Sequence, residues 1–365
     1  MRKVDIEALD VGKLLGRQSL TPATPDDVHY LRDRVVLITG AGGSIGSELA
    51  LQAAAQGPRK LLLLGHGENS IFLIDRTIRE QFPQLAVESL IADIQDRAQI
   101  DEVFRKHGPQ VVFHAAAHKH VPLMEKNRMA AIQNNIWGTG IVAELAKAHK
   151  ALKFIFISTD KAVYPANMMG ATKRVSEMII QQLSQNSQTE FSVVRFGNVL
   201  ESRGSVIPIF KRQIADGGPV TVSHPDMMRY FMSIPEAVHL VLHAGALSVG
   251  GEIFILDMGE PVNVLELAKA MIRQAGLEPG RDIPIQFIGI RPGEKLRELL
   301  TYEEEIVAPS AHPRISVIRP KPLNSPLLSS DLERLAKLRP GHTDMAMELL
   351  AAIIQNGQSE LSGSE

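Results

Sequence analysis

"RVVLITGAGGSIGSELALQAAAQG", residues 34–57, is the stretch that decides the fold. Its first part, "RVVLITG", reads as a buried parallel strand, and "SIGSELALQAAAQG" as a helix stopped by glycine. Between them, Gly40 permits a tight turn, Gly43 lets backbone approach a pyrophosphate, and Gly46 permits close helix–sheet packing. The amides of the first helical turn can then hold the anion. A merely flexible loop would not need glycine at these three places. The junction therefore predicts a dinucleotide cradle at the head of an α/β domain.

The alternation continues outward. Strands are expected at "KLLLLG" (60–65), "AVESLIAD" (86–93), "VVFHAAA" (111–117), "KFIFISTD" (153–160) and "FSVVRFGNVL" (191–200). Helices are expected over 69–82, 98–108, 134–149 and 169–185. Apolar strands bracketing amphipathic helices specify an α/β protein with a Rossmann-like, doubly wound parallel sheet. Beyond residue 200 the period loosens, with helices at 204–217, 233–247 and 263–276 and short strands at "PVTVSH", 252–259 and 283–289. The expected organisation has four parts: an N-terminal arm (1–30), a NAD(P)-binding domain (31–200, rejoined by 231–250), a smaller mixed α/β C-terminal substrate lobe (201–230 and 251–330) and a helical tail (331–365).

Bulk properties narrow the function. The 365 residues carry 39 basic and 41 acidic side chains, a formal charge of -2 that gives no global reason to bind nucleic acid. With no cysteine there is no disulfide, thiolate metal site or thiol nucleophile. No apolar run approaches the roughly 20 residues that span a bilayer, and no apolar signal core follows "MRKVDIEALD". These readings predict a cytoplasmic protein without membrane insertion; the arm and the helix-rich faces suit a homo-oligomer.

Where strand two ends, an acidic residue holds the ribose diol of NAD. Here Gly65 and His66 occupy that place; Glu68, beyond, could still reach a ribose or cap the following helix. No acid opposes a 2′-phosphate and His66 can approach one, so NADP is favoured over NAD. Asp93, just past strand three, is placed either to meet the adenine amine or to cap a helix.

The strip "STDKAVYPANMMGATKRVSE" (158–177) carries the candidate chemistry. Strand ends at the carboxyl edge of such a sheet point into the ligand crevice. Asp160 can serve as an acid and Lys161 as a base; an Asp–Lys pair after a strand is also a common surface turn. In short-chain dehydrogenases a tyrosine and a lysine four residues later share a helix face. None of the four tyrosines here, Tyr30, Tyr164, Tyr230 and Tyr302, has that lysine. The matching pair is Met169 and Lys173, and methionine exchanges no protons.

"GAGGSIGSEL", "LLGHGENS", "HAAAHKHVPLMEKN", the strip, "RFGNVLESRGSVIPIF" and "RPGEKLRE" together resemble the extended short-chain dehydrogenase/reductase family. More narrowly, they resemble its polysaccharide-biosynthesis UDP-N-acetylglucosamine 4,6-dehydratases, from about residue 14 to about 310. Many relatives carry N-terminal transmembrane helices, so the chain resembles a soluble form or a catalytic part. One branch of that family keeps the tyrosine and inverts C5; the other has methionine and retains C5, and Met169 matches the second. The resemblance implies oxidation at C4, loss of the C5 proton and the 6-hydroxyl as water, and hydride return to C6. It assigns C6-hydroxyl protonation to Asp160, C5 deprotonation to Lys161, the 4-hydroxyl to Thr159 and cofactor positioning to Lys173. The cofactor, NAD or NADP, is regenerated in each turnover and stays bound. Its expected contacts are Gly40, Gly43, Ser44, Ile45, Gly46, His66, Asp93, Ile94, Ala115, Ala116 and Lys173.

A UDP-sugar needs cations and amides. Lys119 and His120 lie at the crevice mouth, Asn135 supports the loop near the strip, and Asn198, Ser205 and Val206 resemble a uridine diphosphate segment. Arg229, Arg291 and Glu294 are expected at the diphosphate and ribose. His114, His118 and His120 form no metal triad, since the first sits in a strand, and no metal is expected. Two rivals within the chemistry are a C5-inverting dehydratase and a 4-epimerase. A rival of another class is a catalytically silent NAD(P)-binding regulatory or scaffold protein, against which the intact substrate residues argue.

Overall fold

A computed structural model describes residues 28–321, 325–338 and 343–362, together with Gly12 and Leu323. The expected N-terminal arm lies almost wholly outside the described residues. Five strands open the domain as expected: β1 (Val35–Thr39), β2 (Lys60–Gly65), β3 (Val87–Ile91), β4 (Val111–His114) and β5 (Lys153–Ile157). They alternate with helices α1 (Ser44–Ala54), α2 (Glu68–Gln81), α3 (Arg97–His107), α4 (Thr139–Ala148) and α5 (Met168–Ser184), and β6 (Glu190–Arg195) follows. All five residues of β1 are buried, as a strand covered on both faces requires. Asp96 caps α3 through its side chain, and Gly108 stops it in the left-handed conformation.

Further on come α6 (Val206–Ala215), β7 (Val220–Val222), α7 (Ile234–Leu247), β8 (Ile253–Leu256), α8 (Val264–Gln274), β9 (Ile285–Phe287), β10 (Val307–Pro309), β11 (Ile315–Ile318), α9 (Ser325–Ala336) and α10 (Thr343–Ser362). The main sheet has nine strands in the order β10-β11-β8-β6-β5-β4-β1-β2-β3. The first six strands and β8 are parallel, and β11 and β10 add antiparallel pairs at one edge.

That edge corrects the expected domain partition. β8, β10 and β11 fall within 251–330, assigned from sequence to the substrate lobe, yet they extend the main sheet. β8 reads "IFIL" and is buried throughout, so its pattern already belongs to a two-face-covered strand. The smaller lobe is left with α6, α8, β7 and β9, packed around Phe210, Met271 and Ile283. One apolar cluster fills each face of the main sheet. A third joins α5 to the tail helices through Met168, Met169, Val175, Leu350 and Ile353.

Two local departures shape the crevice. The helix expected from residue 134 begins as a π-helix, Ile132–Gly138, before continuing as α4. The strand expected to reach residue 160 stops at Ile157, because Thr159 caps a single turn of 3₁₀ helix, Asp160–Ala162.

Candidate active site

The glycine cradle has the geometry its spacing predicted. Gly40 is left-handed (φ 67°), and a Cβ there would lie 2.7 Å from the Ala116 amide nitrogen. A Cβ on Gly46 would lie 2.1 Å from the Gly40 carbonyl oxygen, so no larger residue fits. Gly43 precedes α1 without a side-chain cap, leaving the first-turn amides, including those of Ser44 and Ile45, to an external acceptor. Ala115 and Ala116, after β4, lie against the cradle, and Ile94 packs on Gly138. These features fit a dinucleotide's pyrophosphate. His66 and Asp93 are exposed at the ends of neighbouring strands. Both act on His118: burial first and then His66 lower its pKa, while Asp93 opposes them. The Asp93 carboxylate also accepts from the Gln95 amide at 2.9 Å.

The strip follows β5 at the carboxyl edge of the sheet. Asp160 is fully buried. Its Oδ1 accepts from Thr159 Oγ1 (2.8 Å) and Lys161 Nζ (3.0 Å), and Lys161 also donates to Asn198 Oδ1 at 3.0 Å. Asp160 Oδ2 is buried without a hydrogen-bond partner among the described residues. The Asp–Lys pair is therefore not a solvated surface turn. Gly197 is pressed against it: a Cβ there would lie 3.2 Å from Asp160 Oδ2 and 3.0 Å from Tyr230 Cβ.

Lys173 is buried on α5. Its Nζ donates to the Ile157 carbonyl at 2.5 Å and stands 3.8 Å from the Phe156 ring centroid. Burial pulls its pKa down to about 7, against the raising influence of Glu177. Met169 packs into the α5–tail core. Tyr164 points away from Lys173, its hydroxyl meeting the Glu303 amide and the Glu304 carboxylate.

Among the expected substrate residues, Asn135 belongs to the π-helix and is structural as well as central. It bonds the His118 amide (2.8 Å) and carbonyl (3.0 Å) and donates to Thr172 Oγ1 (3.0 Å). Its fixed amide holds the loop that carries Lys119 and His120, both exposed. His114 bonds Thr39 and Thr139 on its two sides. Burial, and then Lys173, lower its pKa to about 3, so it is neutral. Ser205 precedes α6, which starts at Val206, and its buried Oγ has no partner among the described residues. Arg229 donates to the Met228 and Leu296 carbonyls. Arg291 is exposed, and Glu294 accepts from its backbone amide rather than its guanidinium.

Several residues that the sequence reading passed over complete the site. Four residues past Arg291 and Glu294, Lys295 and Glu298 turn toward the strip. Lys295 donates to the Val163 carbonyl at 2.8 Å, and Glu298 Oε1 stands 3.8 Å from Lys161 Nζ. Gly170 in "MMGATK" is obligatory, since a Cβ there would lie 2.2 Å from the Lys161 carbonyl oxygen. Arg203 bridges the two halves of the crevice, donating to the Gly42 carbonyl at 3.1 Å. Beneath Lys173, Arg195 is fully buried between Glu177 (2.8 Å) and Glu305 (2.7 Å), and Ser158 donates to Glu177 at 2.6 Å. Although burial pushes Glu177 up, Arg195, Arg174 and Ser158 hold its pKa below the usual carboxylate value. Charged residues within otherwise apolar runs, such as Arg195 in "FSVVRFG", were the available signal.

Among the described residues no helix is long and apolar enough to cross a membrane. The chain is 50% identical over 350 residues to the probable polysaccharide biosynthesis protein EpsC of Bacillus subtilis, covering 96% of this chain and 58% of that protein. It thus spans little more than half of that relative's length. It is 37% identical to a UDP-glucose 4-epimerase of Rickettsia rickettsii over 75% of this chain and 79% of that one. The solved structure of Pen from Bacillus thuringiensis superposes with a TM-score of 0.73 at 33% identity, covering 80% of this chain and 91% of Pen. The family model described as polysaccharide biosynthesis protein matches residues 36–320. The chain therefore belongs to the polysaccharide biosynthesis protein family, within the extended short-chain dehydrogenase/reductases.

Proposed function

We propose that the protein is a NAD(P)-dependent nucleotide-sugar 4,6-dehydratase acting on UDP-N-acetylglucosamine with retention at C5. The observation that carries this reading is Asp160: fully buried, one carboxylate oxygen held by Thr159 and Lys161, the other buried without a hydrogen-bond partner among the described residues. The residues that would hold the dinucleotide are the 40–46 cradle, Asp93, Ala115, Ala116 and Lys173. When bound, the nicotinamide supplies a reversible hydride store at C4. Without an acidic residue at the end of β2, the 2′-phosphate form is the favoured one.

The chain's own groups divide the proton chemistry. Lys161, fixed by Asp160 and Asn198, is placed to take the C5 proton. Asp160 is placed to take the 4-hydroxyl proton as C4 is oxidised and to return it to the departing 6-hydroxyl, and Thr159 to bind the 4-hydroxyl. Lys173, its pKa pulled down to about 7 by burial, would orient the ribose. Met169 contributes packing and carries no proton. Lys119, Arg203, Arg229 and Arg291, with the amides at the start of α6, are the groups that would hold a diphosphate.

A second reading is a UDP-sugar 4-epimerase, which the name of the Rickettsia relative favours over the dehydratase. An epimerase needs an acid/base group only at the 4-hydroxyl, whereas the paired Asp160 and Lys161 provide the two groups that water loss requires. Incubation with UDP-N-acetylglucosamine followed by mass spectrometry separates the two: a product lighter by one water supports the dehydratase, and an isomer of unchanged mass supports the epimerase.

A further inference from the structure

Away from the strip, helix α7 and the turn before β11 bring three imidazoles together. His239 and His243 are one helical turn apart on α7, on the same face. Their ring centroids are 4.6 Å apart, and His243 stands 4.8 Å from His312. One nitrogen from each ring lies within 4.8 Å of the others, and all three residues are half-buried. Among the described residues this is the one such group.

We propose that His239, His243 and His312 form a three-histidine site for a divalent transition metal of the zinc class, with water completing the coordination. Imidazole nitrogens suit zinc, copper and nickel rather than magnesium or calcium. A tetrahedral zinc centre has metal–nitrogen distances of about 2.0–2.1 Å, which puts its nitrogens about 3.4 Å apart, so modest ring rotations close the triad. Arg314, two residues past His312, is already paired: it meets Glu236 at 2.6 Å and Asp257 at 3.5 Å, so its repulsion of a metal is offset. His312 Nδ1 accepts from the Arg314 amide at 3.2 Å.

The ion would tie α7 to the antiparallel edge of the sheet. His312 lies in the turn between β10 and β11, just after the segment carrying Tyr302 and Glu305. Tyr302 donates to the Ala162 carbonyl of the strip at 2.9 Å, and Glu305 pairs with Arg195. The site is independent of which sugar reaction the protein catalyses.

The test uses tag-free protein stripped with a chelator and titrated with Co²⁺, then Zn²⁺. One Co²⁺ per chain, visible d–d absorption of a tetrahedral ion, displacement by Zn²⁺ and a raised melting midpoint are expected. His243→Ala should weaken Co²⁺ binding at least tenfold while its metal-free melting midpoint stays near that of the parent. His312→Gln, in a turn, supplies the same readout if the helix variant folds poorly. Absence of stoichiometric binding, or binding unchanged in both variants, overturns the proposal.

Discussion

Lys161 donates to Asp160 Oδ1 at 3.0 Å although the two are chain neighbours, and this contact forms on a fully buried carboxylate. Adjacent side chains in a strand would point to opposite faces. The 3₁₀ turn at Asp160–Ala162 is what brings both into the crevice. If the pair divides acid and base roles, Lys161→Ala and Asp160→Asn should each lower kcat by about 10²–10⁴-fold. Cofactor affinity should change little. Turnover assays with parallel cofactor titration check this.

Lys173 gives a pH signature. Its folded pKa, about 7, lies below the 10.5 usual for lysine, so the unfolded chain binds more protons between those values. Stability should therefore rise with pH from about 7 toward 10.5 and be insensitive to this group below 7. Lys173→Met should flatten that rise by a few kcal/mol at most and abolish turnover. Denaturant melts of cofactor-free protein across this window provide the measurement.

Beneath it, Arg195 neutralises two buried carboxylates. Arg195→Met leaves Glu177 and Glu305 without that partner and should destabilise by about 3–5 kcal/mol. The double change with Glu305→Gln should recover part of this loss. Equilibrium unfolding of the single and double variants decides it.

Met169 has a packing role, so Met169→Leu should retain activity within a few fold and cost less than about 1.5 kcal/mol. Gly46→Ala should behave oppositely, because its Cβ would meet the Gly40 carbonyl at 2.1 Å. Loss of cofactor binding, followed by fluorescence titration, is expected there.

Most elements between residues 34 and 195 were legible because strands such as β1, β2, β4 and β5 carry apolar runs and the helices between them a 3.6-residue stripe. The nucleotide cradle was legible because glycine is read directly as backbone geometry. The edge strands β10 and β11 were not, since "VAP" and "ISVI" are too short for periodicity to separate them from a lobe. Long-range partners were equally hidden. Nothing in "RPGEKLRE" says that Lys295 and Glu298, rather than Arg291 and Glu294, face the strip; that depends on where the chain re-enters the crevice. The His239–His243–His312 cluster joins residues 73 positions apart at its extremes (312 − 239) and leaves no local pattern beyond a histidine pair on one helix.

The measurement that bears most directly on the central claim is proton NMR of the UDP-N-acetylglucosamine reaction in deuterated water. A C5-retaining dehydratase gives a 4-keto-6-deoxy product carrying deuterium at C5 with the gluco-series configuration retained, and Lys161→Ala abolishes its formation. Formation of the C4 epimer without exchange at C5, or of a product inverted at C5, would contradict it.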